Sequence, residues 1–328
     1  MNDAAVRLGY LADTVRLLYP GPGSPRAYTV LPHAAVPRRL APRRWWHVGS
    51  PVMVPGEGSI AAHLGEVFGQ PVETVLHVRP ARRANRKPVL EVRSRGRLLA
   101  YVKVGDNPRT RALVAAEAAA LRRIAGLGLR TVVAPEVLHL GDWRGLAVLA
   151  VSPLPVRRRR SAPRPLLLSA VAEIASTGHD TDHGPGHDAR HHTGHDLRHD
   201  AGHDAGHAAG AAWHGDFTPW NVCPAPGGRL LVWDWERYAT GVPYGFDALH
   251  HFFHRALRRM PPPDAARACV ARAARELAPL GVSAATARQS ALRYLIALAD
   301  RHAADGHEPL GPPHTWLNPA VDHEESLV

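Results

Sequence analysis

The chain has 328 residues, 45% of them apolar, and a formal net charge of +11. This length supports one large domain or two smaller ones with a real core, and the apolar content excludes a chain that is disordered throughout. No run of about 18 apolar residues occurs, and Cys223 and Cys269 stand far apart without a CxxC pair, which argues against a membrane span, a disulfide framework or a zinc knuckle.

The opening stretch, "MNDAAVRLGYLADTVRLLYPG", carries Arg7, Asp13 and Arg16 among its apolar positions. It reads as an amphipathic helix over about residues 3–19 and not as a leader peptide, so a cytoplasmic protein is expected. The rest of residues 1–58 is a Pro/Arg-rich extension, whose repeated prolines forbid a long helix or a central strand. Trp45 and Trp46 would be its anchors. Of 40 basic residues only Lys87 and Lys103 are lysine, so the charge reflects an arginine-rich composition. No basic stripe with interleaved aromatics appears, and no nucleic-acid partner is expected.

Within residues 59–152 the pattern becomes that of half-buried strands. "VETVLHVRP", "KPVLEVRS" and "RLLAYVKVG" alternate apolar and polar side chains. "RTRALVAAEAAALRRIAGLG" is then a helix, with Leu113, Ala116, Ala120, Ile124 and Leu127 as its inner stripe and Gly126 or Gly128 as its stop. "TVVAPEVLHLGD" and "RGLAVLAVSPLP" read as two more strands. A small, mostly antiparallel sheet with one helix inserted after its third strand is predicted.

Residues 153–328 are predicted to be mainly helical. "RPLLLSAVAEIAST" is a helix, and histidine then recurs every four residues from 179 to 207. A helix would align such histidines on one face able to bind a transition metal. Gly184-Pro185-Gly186 interrupts that helix, so a flexible, repeat-expanded loop is the competing reading. After the segment "AAWHGDFTPWNVCP" come "VWDWERY" and the helix "YGFDALHHFFHRALRR". Two further helices follow, with Asp264 and Ser283 as expected caps.

Phosphoryl transfer needs a base to orient the acceptor hydroxyl, oxygen ligands for magnesium, a cation on the phosphates and an acid to hold that cation. The sequence offers each. Asp216 would be the base, and Asn221, five residues on, one metal ligand. Asp234 in "RLLVWDW" would be the other, brought alongside by the turn "PGGR". Few oxygen ligands suit Mg2+, which keeps its waters and takes substrate phosphates. Lys103 would grip the phosphates and Glu117 would pair with it. A lysine at that strand position, in a chain that otherwise uses arginine, is informative because its ammonium is a compact point charge. His214 would hold the loop by hydrogen bonds.

"HGDFTPWNV…VWDWE" resembles the aminoglycoside phosphotransferase and choline kinase superfamily, whose motif is HGD, four residues, Asn, and then an Asp on a following strand. His214, Gly215, Asp216, Asn221 and Asp234 match it, "AYVKV" resembles the lysine strand, and "VAAEAAALRRI" the glutamate helix. The resemblance spans about residues 72–260. It implies an α+β, bilobal protein-kinase-like fold with an N-lobe of antiparallel sheet and one helix, and a larger helical C-lobe. It implies ATP, or another NTP, with Mg2+ as cofactors and a small-molecule hydroxyl as acceptor: a sugar, an amino alcohol, an aminoglycoside-like or other natural product. Asp247 would support the catalytic loop, and the adenine would lie near Leu149 to Pro153, against Leu149 and Val151. The loop "RPARRANRKP" departs from the pattern because it has no glycine-rich sequence. Arg82, Arg83, Arg86 or Lys87 would cover the phosphates there, or the loop is a solvated hairpin tip. Two other functions stay open: a nucleotide-binding regulatory protein with weak catalysis, and a metal-binding protein that acts through the histidine tract.

Overall fold

The computed structural model describes residue 10 and residues 13–20, 58–77, 86–156, 161–178 and 210–325. The Pro/Arg-rich extension with Trp45 and Trp46, Arg82 and Arg83, and the histidine tract lie outside the described residues. The described chain divides into two compact units. One holds the residues up to Ala119 together with Pro135–Pro153, and the other holds Ala120–Ala134 and the residues from Leu154 onward. Sheet dominates the first and helix the second, the α+β composition that the sequence predicts.

In the first unit, α1 (Ile60–Phe68) is capped by Ser59, whose hydroxyl accepts from the Ala62 N–H, and it ends at Gly69 in the left-handed region. Five strands follow: β1 (Glu73–His77), β2 (Val89–Ser94), β3 (Arg97–Gly105), β5 (Val137–Trp143) and β6 (Leu146–Val151). They form one antiparallel sheet in the order β1-β2-β3-β6-β5. Ile60, Leu64, Leu90, Val92, Val102, Val104 and Val148 build its core. Burial of such side chains contributes about 1.5–3 kcal/mol each. Between β3 and β5 lie α2 (Pro108–Ala125) and the short β4 (Val132–Val133). The start of α2 is fixed by a reciprocal pair, in which the Asn107 side-chain Oδ1 accepts from the Thr110 N–H and the Thr110 hydroxyl from the Asn107 backbone N–H.

Two local expectations are corrected here. The buried face of α2 runs through Leu113, Val114, Glu117, Ala118, Leu121 and Ile124, whereas Ala116 is exposed. Leu113, Ala120 and Ile124 of the expected stripe are buried, and Glu117 takes the inner position next to the exposed Ala116. The segment "TVVAPEVLHLGD" is also not one strand. Pro135, which has no N–H for a ladder, separates Val132–Val133 from β5. The first piece pairs with the second unit's sheet instead.

In the second unit, α3 (Arg164–Ser176) precedes β7 (Ala211–Trp213), β8 (Val222–Ala225), β9 (Arg229–Val232) and β10 (Ala239–Val242). β8 and β9 make an antiparallel hairpin, β4 adds to β9 in parallel, and β7 pairs with β10. The Glu173 carboxylate on α3 accepts from the N–H groups of Arg130, Thr131 and Val132 and so clamps β4 in place. Helices α4 (Phe246–Ala256), α5 (Pro262–Leu277) and α6 (Ala284–Ala304) pack through Phe246, Leu249, Phe253, Cys269, Val270, Tyr294 and Leu295, and α7 (Pro313–Trp316) and α8 (Asn318–Glu325) follow. Ser283 caps α6 by accepting from the Thr286 N–H. Asp264 does not cap α5: Pro261 holds the cap position, and Asp264 sits in the first turn paired with Arg267. No helix among the described residues is long and apolar enough to cross a membrane.

Gly178, just past α3, lies against Gly210, just before β7. A Cβ on Gly178 would meet the Gly210 carbonyl oxygen at 2.2 Å. The described ends that flank the histidine tract therefore meet at one point, and α3 closes at Ser176, before the tract. Replacing residues 179–209 with a short Gly/Ser linker is expected to leave Tm unchanged or slightly raised, because a shorter loop loses less entropy on closure. A clear fall in Tm on differential scanning calorimetry would show that the tract packs on the fold.

Candidate active site

The segment 214–221 is held by the scaffold at several points. Asp247, in the first turn of α4, is buried and accepts from two successive backbone N–H groups, His214 at 2.7 Å and Gly215 at 3.2 Å. Burial pushes the Asp247 carboxyl up to about 7, although those two bonds favour its charged form. Gly215 has φ of 78°, and a Cβ there would meet the Arg237 carbonyl oxygen at 2.1 Å, so no side chain fits. Arg301 on α6 donates to the Gly215 carbonyl from the other side.

His214 is fully buried, packed edge-on against Trp235 with ring centres 4.5 Å apart. Its Nδ1 accepts from the Asp216 N–H at 3.1 Å, which fixes the imidazole with its proton on Nε2. The ring thus organises the backbone and is not turned toward a reacting group. Asn221 is buried, and its amide nitrogen donates to the Asp216 Oδ2 at 2.8 Å and the Asp216 carbonyl at 3.0 Å. Five residues of spacing close into a ring in which asparagine orients the carboxylate.

The same asparagine is tied to the next strand. The Trp233 N–H donates to the Asn221 carbonyl at 3.1 Å and extends the β8–β9 ladder, where Val222 faces Val232. Asn221 and Asp234 therefore leave the open end of one hairpin. Asp234 is not within the strand, as "RLLVWDW" suggests. β9 ends at Val232, and Asp234 adopts φ of 69°. Aspartate tolerates this left-handed conformation better than most residues. The fully buried Trp235, whose indole N–H donates to the Val232 carbonyl at 3.0 Å, anchors the turn on its far side.

Burial first, and the neighbouring Asp234 second, push the Asp216 carboxyl above the ordinary range. The two carboxylates and the Asn221 amide oxygen are an oxygen-only donor set, with the Arg301 guanidinium as a nearby cation. That chemistry fits a hard divalent cation such as Mg2+. Asn221 commits its nitrogen to Asp216, so its Oδ1 is the atom it can offer.

In the sheet-rich unit, Lys103 on β3 donates to both carboxylate oxygens of Glu117 on α2, each at 2.6 Å. The two residues are 7% and 1% exposed. A buried ion pair gains little net stability, because desolvation of both charges offsets their attraction. Val104 and Ala118 beside them are wholly apolar and buried, so an apolar pair would have packed there as well. Leu149 and Val151 lie buried on β6, and Leu149 faces Lys103 across the β3–β6 ladder. In the described part of the first hairpin, the Arg86 guanidinium lies over the Tyr10 ring at 4.3 Å, and Lys87 is buried.

His250, Tyr294 and Arg301 were not singled out by the sequence. His250 Nε2 is 3.3 Å from the Asp216 Oδ1, and its Nδ1 is 3.1 Å from the Tyr294 hydroxyl. A signal existed. Asp247, His250 and His254 recur at helical spacing in "FDALHHFFHR", giving one face of α4 an unusual load of polar groups. A surface groove of about 550 Å³, lined in part by Arg164, Leu168, Tyr244 and Leu280, contains none of these residues.

No protein-family model matches the chain, and no curated protein matches it. Three solved structures are similar at a distance. A candidate fructosamine-3-kinase of Haemophilus somnus 129PT is 12% identical, with 80% of this chain and 96% of that one covered and a TM-score of 0.49. A thermostable mutant of an aminoglycoside phosphotransferase, in ternary complex with AMP-PNP and hygromycin B, is 17% identical over 75% of this chain and 92% of that one, with a TM-score of 0.42. An aminoglycoside phosphotransferase of Alicyclobacillus acidocaldarius is 12% identical over 70% and 90%, with a TM-score of 0.34.

Proposed function

We propose that this chain is an ATP-dependent phosphotransferase that acts on a hydroxyl of a small molecule. The observation that carries the reading is the closed set of Asp216, Asn221 and Asp234. Asparagine orients the carboxylate through its amide nitrogen, and a backbone bond from Trp233 couples it to the arm that bears Asp234. Asp216 accepts the proton of the acceptor hydroxyl as its oxygen bonds to the terminal phosphorus of ATP, the bond from that phosphorus to the bridging oxygen breaks, and ADP leaves with the electron pair. Asn221 and Asp234 hold Mg2+, which neutralises charge on the phosphate oxygens when bound. Lys103 contacts nucleotide phosphates, and Glu117 keeps its ammonium extended and charged. Backbone groups near Leu149 to Pro153 receive the adenine. His214 and Asp247 touch no substrate, and their work is to hold the loop.

The test is a screen of hydroxylated acceptors with labelled ATP and magnesium, wild type against Asp216→Asn. Label transfer by wild type alone supports the reading; no transfer to any acceptor, with ATP bound and unturned, favours a regulatory nucleotide-binding protein. Asp234→Ala is expected to lower turnover by about 10²-fold or more and to raise the magnesium concentration needed for half-maximal rate. Unchanged magnesium dependence in that variant removes Asp234 from the metal site.

A further inference from the structure

Each oxygen of the Asp216 carboxylate has its own partner. Oδ2 accepts from the Asn221 amide, and Oδ1 faces His250 Nε2 at 3.3 Å. His250 is wholly buried on α4, and its other nitrogen meets the hydroxyl of Tyr294, wholly buried on α6, at 3.1 Å.

Proton placement follows from the pairing. A neutral imidazole carries one donor nitrogen and one acceptor nitrogen. With the proton on Nδ1, the Nε2 lone pair would point at a carboxylate oxygen, acceptor against acceptor. The proton is therefore on Nε2, which donates to Asp216, and the Tyr294 O–H donates to Nδ1. Burial holds the imidazole neutral and the phenol protonated, so the line from Tyr294 to Asp216 is complete without a charge.

We infer that His250 and Tyr294 are positioning residues of the reaction: together they fix the rotation of the Asp216 carboxylate, so that a chosen lone pair faces the acceptor hydroxyl. This rests on the reading of Asp216 as the base. The helices do not need these polar groups in order to pack. Phe246, Leu249 and Phe253 on α4 and Leu295 and Leu298 on α6 already supply buried apolar contact. Burying a phenol and an imidazole costs free energy unless every polar atom is paired, and here the pairing ends on Asp216. The surroundings also lock the two rings. His254 lies tilted against His250 with centres 4.3 Å apart, and Phe246 packs edge-on against Tyr294 at 5.8 Å.

Tyr294→Phe removes one oxygen from this line and tests it. The expected result is a fall in kcat of about 10-fold with KM for ATP unchanged, and loss of that effect when the change is made in an Asp216→Asn background, measured in single turnover. The 15N and 1H shifts of His250 should report the Nε2–H form in wild type, a readout that needs no substrate. If Asp216→Asn retains full activity, the base reading falls and the positioning role falls with it. If Asp216→Asn is inactive but Tyr294→Phe has wild-type kcat, or an equal effect in both backgrounds, the positioning role alone is overturned. An Nδ1–H form of His250 in wild type overturns it as well, even where Tyr294→Phe does not fold.

Discussion

Asp216→Asn is expected to lower kcat by about 10²–10⁴-fold while making the protein more resistant to heat. The two effects have one cause. Asp216 is a partly exposed carboxylate next to Asp234; desolvation and that neighbouring charge oppose its ionisation, and the Arg301 guanidinium offsets them only in part. An amide of the same shape has no charge to lose; its oxygen accepts from Asn221 or His250, and the other donor then faces the amide nitrogen, a smaller cost than the lost charge repulsion. Removing the charge therefore removes the proton acceptor and relieves the folded state together, a trade between stability and function common at active sites. Scanning calorimetry in EDTA checks the second effect and acceptor phosphorylation the first. Adding magnesium should narrow the Tm gap, because the cation relieves wild type and has less to relieve in the variant. A variant that melts below wild type in EDTA would show that the charge is well compensated without metal.

Asp247→Ala is expected to abolish activity and to cost about 2–4 kcal/mol, since two buried backbone N–H groups lose their acceptor. Lys103 and Glu117 are untouched, so a collapse of kcat with nucleotide binding retained identifies a loop defect. The wild-type carboxyl also predicts a pH dependence of opposite sign for two observables. Its folded value of about 7 stands above the ordinary aspartate value of about 4. Between those two values the native state holds more protons than the unfolded state, so this group's contribution to stability is full below about 4 and is lost as pH rises through about 7. Activity runs the other way. Protonation takes away one of the two anionic acceptors that fix His214 and Gly215, so kcat should fall as pH drops below about 7. Urea melts and initial rates across this range test both signs, and the stability slope should flatten in Asp247→Ala.

The fold was legible where one periodicity rules a segment. β2 alternates toward its inner face and α4 to α6 carry apolar stripes, whereas β3 is buried on both faces from Val102 to Gly105. Glu117 was placed inside through its pairing with Lys103, a chemical argument, whereas apolar spacing alone also put Ala116 inside, where it is exposed. Val132–Val133 looks like the start of β5, and its partner β9 lies about 100 residues away in sequence, beyond any local signal. The motif residues were legible because their chemistry demands particular types at short spacing: Asp216 with Asn221 closes a ring of five residues. His250 and Tyr294 were not, because they reach Asp216 from helices 34 and 78 positions on, and a histidine or tyrosine on a helix is ordinary until its partner is known. Asp234 was found by type and distance, but its left-handed backbone was not, since aspartate follows no strand rule there.

The meeting of Gly178 and Gly210 has an evolutionary consequence. A tetrapeptide repeat is encoded by a repeated stretch of DNA, the kind of sequence that lengthens and shortens by slippage during copying. Most enzymes could not survive such drift beside a catalytic loop, because every added unit would push the reacting groups apart. Here the two flanking ends meet at one spot, so a change in the length of the tract need not move the residues from Ala211 onward. Copy number is thereby uncoupled from chemistry, and isolates of one species should differ in the number of histidine units while keeping the residues from Ala211 to Asp234 fixed.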